Sequence, residues 1–208
     1  MALQNRVDPF GMIHASPARG MFMGNRGGRI HEPDSRRLTA RRWASKAWII
    51  CLLDFHGRSR TVMGPTGYTE LFFLDEATAL AAGHRPCFEC QRTRAKAFAD
   101  AFRSGNDLDG ALAGQIDSRL HCERTAAGHE PAAIDARAAE KLPDGSMIGC
   151  ERETYLVIGG RFRRWSFHGY DDADVRPTGL TVMLTPPSTV AALRAGYHPA
   201  LHETAVVS

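Results

Sequence analysis

At 208 residues the chain is long enough for one generous domain or two small ones, each able to bury a core, so size alone demands no metal or disulfide staple. A hydrophobic share of 43% against 24% charged residues excludes disorder, and the longest apolar run, Trp48 to Leu53, is far short of the ~18 to 20 residues of a membrane span. Net charge is only +3, yet seven arginines fall between Arg19 and Arg42 against Glu32 and Asp34, a cationic stretch suited to phosphate or carboxylate.

Residues 1–42 contain Pro9, Pro17 and Pro33 and five glycines from Gly11 to Gly28, and read as a basic, mostly irregular arm. Its first residues lack an apolar core followed by a small-residue cleavage site, so a cytoplasmic protein is expected. Trp48 to Phe55 reads as a buried strand and His56 to Ser59 as the turn into a second strand near Arg60 to Met63. Pro65-Thr-Gly67 breaks the chain before a third strand, Tyr68 to Phe73, and a small antiparallel sheet follows. Asp75 caps a short helix, Glu76 to Ala82, stopped at Gly83.

After Cys90 the spacing Ala95, Phe98, Ala99, Phe102 predicts a helix up to Gly105. A further helix covers Leu108 to about Arg124, and the Ala-rich stretch 125–142 reads as helix. From Leu142 the texture turns to strands: Met147 to Cys150, Tyr155 to Ile158, Phe162 to Trp165 around a Gly159-Gly160 turn, and Leu180 to Leu184. Pro186-Pro-Ser188 opens a last helix, Thr189 to Ala195.

Five cysteines, at 51, 87, 90, 122 and 150, are an odd number without the dense spacing of a disulfide framework. Cys87-Phe-Glu-Cys90 is the one close pair. Two intervening residues let both sulfurs point at one zinc ion about 2.3 Å away. A thioredoxin-like redox pair would follow a strand, whereas this one follows a predicted helix and a glycine stop, so Cys87 and Cys90 read as zinc ligands.

The stretch Leu71-Phe-Phe-Leu-Asp-Glu-Ala-Thr-Ala-Leu-Ala-Ala-Gly-His-Arg-Pro-Cys-Phe-Glu-Cys90 resembles the second half of the Ada-type metal-binding domain of the bacterial methylphosphotriester DNA repair protein. Phe72, Phe73, Ala77, Ala81, Gly83, Arg85, Pro86, Cys87 and Cys90 match that family's pattern, with His84 where an aromatic is usual. The resemblance implies Zn2+ as cofactor and a nucleic-acid partner, and His84 as a packing residue. It covers roughly a tenth of the chain. The family's other two ligands come from an upstream Cys-x-x-x-Cys, one member of which accepts the methyl group. No such pair exists here, so methyl transfer is not carried over. Over its whole length the chain also looks like a group of bacterial proteins of unassigned function that share its Gly24-Asn-Arg-Gly27, Leu71 to Ala77 and Leu184 to Ser188 segments, a resemblance that implies no activity.

Two thiolates do not close a tetrahedral site. Cys51, on a strand of the same small sheet, is the first candidate to join them, then His121 and His31, each competing with a plain core or surface reading. Cys122 and Cys150 read as ordinary thiols. The Gly24 to His31 loop with Arg26 and Arg29, followed by Arg36 and Arg37, is the candidate nucleic-acid surface, with Trp43 and Trp48 able to stack on bases or to anchor the core. Glu123 and Arg124, next to His121, are candidate catalytic residues if the metal keeps an open position: general base and charge clamp, against a solvated helix face.

The sequence therefore predicts an α+β fold: a basic arm over 1–42, a zinc-binding unit over 43–145 and a small β-rich unit over 146–208. The favoured function is a zinc-binding protein with a structural metal, contacting DNA or RNA through its arm. A zinc-dependent hydrolase and a protein-interaction scaffold stay open as alternatives.

Overall fold

The computed structural model describes residues 2–58, 61–110, 112–125, 131–171 and 177–205. The fold is α+β, as the pattern of strands and helices predicts, and it holds two six-stranded sheets. The first is built from β1 (Gln4–Val7), β2 (Ile13–Ala15), β3 (Phe22–Arg26), β4 (Trp48–Leu52), β5 (Leu71–Phe73) and, after a helix, β6 (Arg85–Pro86), in the order β2-β1-β5-β3-β4-β6. It is mixed: β1 runs parallel to β5 and β4 parallel to β6, while the other pairs are antiparallel.

Half of this sheet comes from the segment expected to be an irregular arm. The glycines that read as loop are there for close approach: a Cβ on Gly24 would lie 2.1 Å from the carbonyl oxygen of Ile49, so the central pairing of β3 with β4 requires glycine. The strand expected near Arg60 to Met63 falls partly outside the described residues, and residues 61–63 form a turn. The third expected strand shortens to β5, because Tyr68 to Glu70 serve as loop contacts instead of sheet partners.

Helix α1 (Glu76–Ala81) is capped as expected, with the Asp75 carboxylate accepting from the Thr78 amide at 2.9 Å. Gly83 turns the chain at φ 83°, and a Cβ there would meet Arg124 Cγ at 2.6 Å, so both conformation and space exclude a side chain. Helix α2 (Arg92–Gly105) buries Ala95, Phe98, Ala99 and Phe102. Helix α3 (Ala113–Thr125) starts five residues later than the predicted Leu108 and buries Ile116, Asp117 and Leu120. The stretch predicted as one helix over 125–142 divides into β7 (Ala133–Ile134) and α4 (Ala136–Glu140), and residues 126–130 lie outside the described residues.

The second sheet adds β8 (Met147–Cys150), β9 (Glu153–Ile158), β10 (Arg161–Ser166), β11 (Gly169–Tyr170) and β12 (Thr181–Met183), in the order β11-β10-β9-β8-β12-β7. Its neighbouring strands pair antiparallel. Helix α5 (Pro187–Arg194) follows, with Pro at its first position. Among the described residues no helix is long and apolar enough to cross a membrane.

One core cluster joins Val7, Phe22, Ile50, Leu71 and Phe73 of the first sheet to Leu80, Phe98, Phe102, Ile116 and Leu193. A second gathers Leu74, Ala77 and Ala81 with Met147, Leu156 and Tyr170. Helix α1 contributes to both and is buried at every position, which is why four of its six residues are alanine or threonine small enough to lie between two packed layers.

Candidate metal centre

The parallel pairing of β4 with β6 sets Ile49 beside Arg85 and Ile50 beside Pro86, so the next residue of each chain, Cys51 and Cys87, arrives side by side. The Cys87 amide donates to the Ile50 carbonyl at 2.9 Å, and Gln91 reaches back to the same oxygen through Nε2 at 2.9 Å. Pro86 lacks an amide proton, which an edge strand tolerates. The chain then turns through Phe88 and Glu89 to Cys90, and α2 begins two residues on.

The result is a cluster in which the sulfurs of Cys51, Cys87 and Cys90 all lie within 4.8 Å of one another, with Cys51 and Cys87 buried and Cys90 half-buried. The Glu89 amide donates to Cys87 Sγ at 3.3 Å. The Cys51 thiol donates to Cys87 as well, and this bond, more than the amides of Cys90 and Glu89, lowers the Cys87 thiol to about 5 against the opposing effect of burial. Cys51 is raised because it gives that proton and is buried. Cys90 is raised by burial, offset in part by the Leu52 amide. Three sulfurs at this spacing repel one another when ionised, and a divalent cation between them supplies the charge that lets all three lose their protons. The donor set suits a soft or borderline cation, and the three cysteines are placed to hold one metal ion.

All three cysteines line one pocket of about 450 Å³, within the range of small-molecule sites. Its wall is largely apolar, with Met23, Ile49, Leu52 and Phe72, and Asn25, Asp54, Tyr68 and Glu70 supply polar groups. Arg58 and Glu89, which also line it, pair at 2.6 Å and are both well exposed. Sequence reasoning missed these pocket residues, because Phe72, Met23, Cys51, Asn25 and Ile49 share one face of β5, β3 and β4 only through cross-strand register, and no spacing announces it.

The remaining candidates lie elsewhere. His31 is buried, its Nε2 donating to the Gly64 carbonyl at 3.0 Å while Nδ1 meets the Thr69 hydroxyl at 2.6 Å, so both ring nitrogens are occupied in fastening a loop. His121 packs edge-on against Trp43 and Trp48, with centroids 5.1 and 5.7 Å away, and burial followed by the charge of Lys46 lowers its pKa. Among the described residues neither histidine joins the cysteine cluster.

Glu123 and Arg124, the candidate catalytic residues, lie outside the lining of the cysteine pocket. Glu123 accepts from the Ser188 hydroxyl at 2.7 Å and from Arg119 at 2.8 Å, and Arg124 donates to the Leu184 carbonyl at 3.0 Å. They tie α3 to the first turn of α5 and to the segment before it. Burial lowers the Arg124 guanidinium to about 10. Arg26 is likewise removed from the basic surface: it is 3% exposed, stacks over Trp48 at 4.2 Å and donates to the Gly11 carbonyl at 2.8 Å. Burial, with Arg124 and Arg42 nearby, lowers it to about 9. Arg29 is half-buried, whereas Arg36 and Arg37 are exposed.

Comparison of the chain with protein-family models, curated proteins and solved structures gives no match.

Proposed function

We propose that the protein binds zinc through Cys51, Cys87 and Cys90, with one coordination position of the ion turned toward the pocket. The observation that carries this reading is the placement of three mutually close sulfurs on the wall of a 450 Å³ cavity, with no fourth histidine, cysteine or carboxylate joining them among the described residues. Thiolates at the corners of a tetrahedron favour zinc, and a site with three protein ligands is the pattern of zinc centres that accept an outside ligand. The resemblance of residues 71–90 to the Ada-type domain supports the metal, since that segment delivers Cys87 and Cys90. The reading departs from a closed structural site, which needs a fourth protein donor.

Metal analysis of the purified protein is expected to give one zinc per chain, and Cys51→Ala, Cys87→Ala or Cys90→Ala should each lose most of it. Cobalt substitution should give tetrahedral bands with sulfur charge transfer. A chain that purifies without stoichiometric metal and takes up no cobalt would defeat the reading.

Contact with nucleic acid is a second reading with its own observation. Arg36, Arg37, Arg41, Arg42 and Lys46 are all exposed, Trp43 is 36% exposed among them, and no acid falls between Asp34 and Asp54. Such a surface supports phosphate contacts with a base stacked on Trp43. Affinity for a single-stranded oligonucleotide should fall steeply with salt and drop when Arg41 and Arg42 become glutamate. Salt-independent affinity counts against it.

A further inference from the structure

We infer that the metal position facing the pocket takes the sulfur of a small aminothiol, a thiol whose short carbon chain carries an ammonium group. The inference rests on the zinc reading above and names the ligand class of the same site.

Three features of the cavity lead to it. The first is the donor set. Three thiolates around a divalent cation leave the centre with a net charge of −1, which weakens its power to acidify water compared with a centre held by neutral imidazoles and favours a soft donor at the remaining position. The second is the wall. Met23, Ile49, Leu52 and Phe72 line the cavity beside the cysteines, and an apolar surface of this kind suits a short carbon chain and penalises a hydrated anion.

The third is charge. A thiol coordinates as thiolate, its S–H proton leaving to solvent, so the centre would move to a net charge of −2. The Asp54 carboxylate lines the same cavity and adds to this. Of the nearby cations, Arg58 is already paired with Glu89 at 2.6 Å, and Arg6 lies over the Phe72 ring at 4.6 Å. A ligand that brings its own positive charge balances the site, and one that brings a second carboxylate makes it worse.

The test uses the full chain loaded with cobalt(II), titrated with cysteamine, 2-mercaptoethanol, 3-mercaptopropionate and, as a control without sulfur, ethanolamine. Cysteamine should intensify the sulfur-to-cobalt charge-transfer absorption and shift the visible bands, with half-saturation at about tenfold lower concentration than 3-mercaptopropionate. On the zinc form, X-ray absorption should change from three sulfurs to four at about 2.3 Å. Asp54→Asn, at an exposed position, should narrow the preference for cysteamine while leaving cobalt uptake intact.

Cobalt uptake with a three-thiolate spectrum that no thiol alters would overturn the inference and leave the zinc reading standing. An equal or stronger response to 3-mercaptopropionate, the same spectral change with ethanolamine, or loss of the cobalt to the added thiol would each overturn it too. Failure to bind cobalt at all would remove the zinc reading, and the inference with it.

Discussion

His84 lies at 0% exposure between Trp48 and Phe73, ring centroids 5.2 and 4.7 Å away. Burial, reinforced by the Arg26 guanidinium, holds its pKa well below the ordinary value, so the folded protein keeps the ring neutral. The unfolded chain binds a proton there near pH 6.5 and the folded chain does not. Stability from this residue is therefore fully present above that pH and is lost as pH falls below it, at up to about 1.4 kcal/mol per pH unit. His84→Phe, which keeps a ring in the same aromatic cage, should flatten that loss between pH 6.5 and 5. Urea unfolding of both proteins across the range reads the effect, and parallel pH profiles would refute this account of His84.

At the scale of elements, β6 is anchored from its far side by α3. Arg85 meets Asp117 through two bonds, Nε to Oδ1 at 2.7 Å and Nη2 to Oδ2 at 2.9 Å, and both side chains are more than nine-tenths buried. The pair positions the strand whose next residue is Cys87. Asp117→Ala leaves a buried guanidinium without its counter-charge and should cost about 3–5 kcal/mol, whereas Arg85→Met with Asp117→Leu should recover most of that. Denaturant midpoints of the three proteins decide it, and a mild single variant would show that water reaches Arg85. This geometry also marks how far local sequence could be read. The Asp75 cap, the Gly83 stop and the Cys87-x-x-Cys90 turn depend on neighbours a few residues away, and the sequence shows them directly. Cys51 could be proposed but not chosen over His121 or His31, because its place beside Cys87 is set by the parallel register of β4 and β6. Strand β3 was hidden by Gly24, and Arg26 counted as surface charge because nothing local announces that it stacks on Trp48.

At the scale of the whole molecule, the division expected at residue 145 runs through contacts that hold both halves. Ala192, Leu193 and Tyr197 belong to the same core cluster as Phe98, Phe102 and the first sheet. Two adjacent, fully buried carboxylates at the start of α1 reach into the C-terminal segment. Asp75 accepts from the Tyr170 hydroxyl at 2.8 Å and the His202 amide at 3.2 Å. Glu76 accepts from the Tyr197 hydroxyl at 2.5 Å and the Ala200 amide at 2.7 Å, and pairs with Arg94. Removing residues 146–208 would strip these carboxylates of those donors and uncover one face of α1 and of α2. Glu76 keeps Arg94 and Asp75 keeps Thr78, but two buried carboxylates short of half their donors, together with an open apolar face, exceed the margin by which domains are stable. A fragment of residues 1–145 should therefore show no cooperative unfolding and should bind hydrophobic dye, while the full chain unfolds in one transition that coincides by near-ultraviolet and far-ultraviolet dichroism. A fragment that melts cooperatively with native-like ellipticity would mean that the first sheet and its helices carry their own core. The cysteine cluster, which is built wholly from residues before 91, would then be a property of that smaller unit.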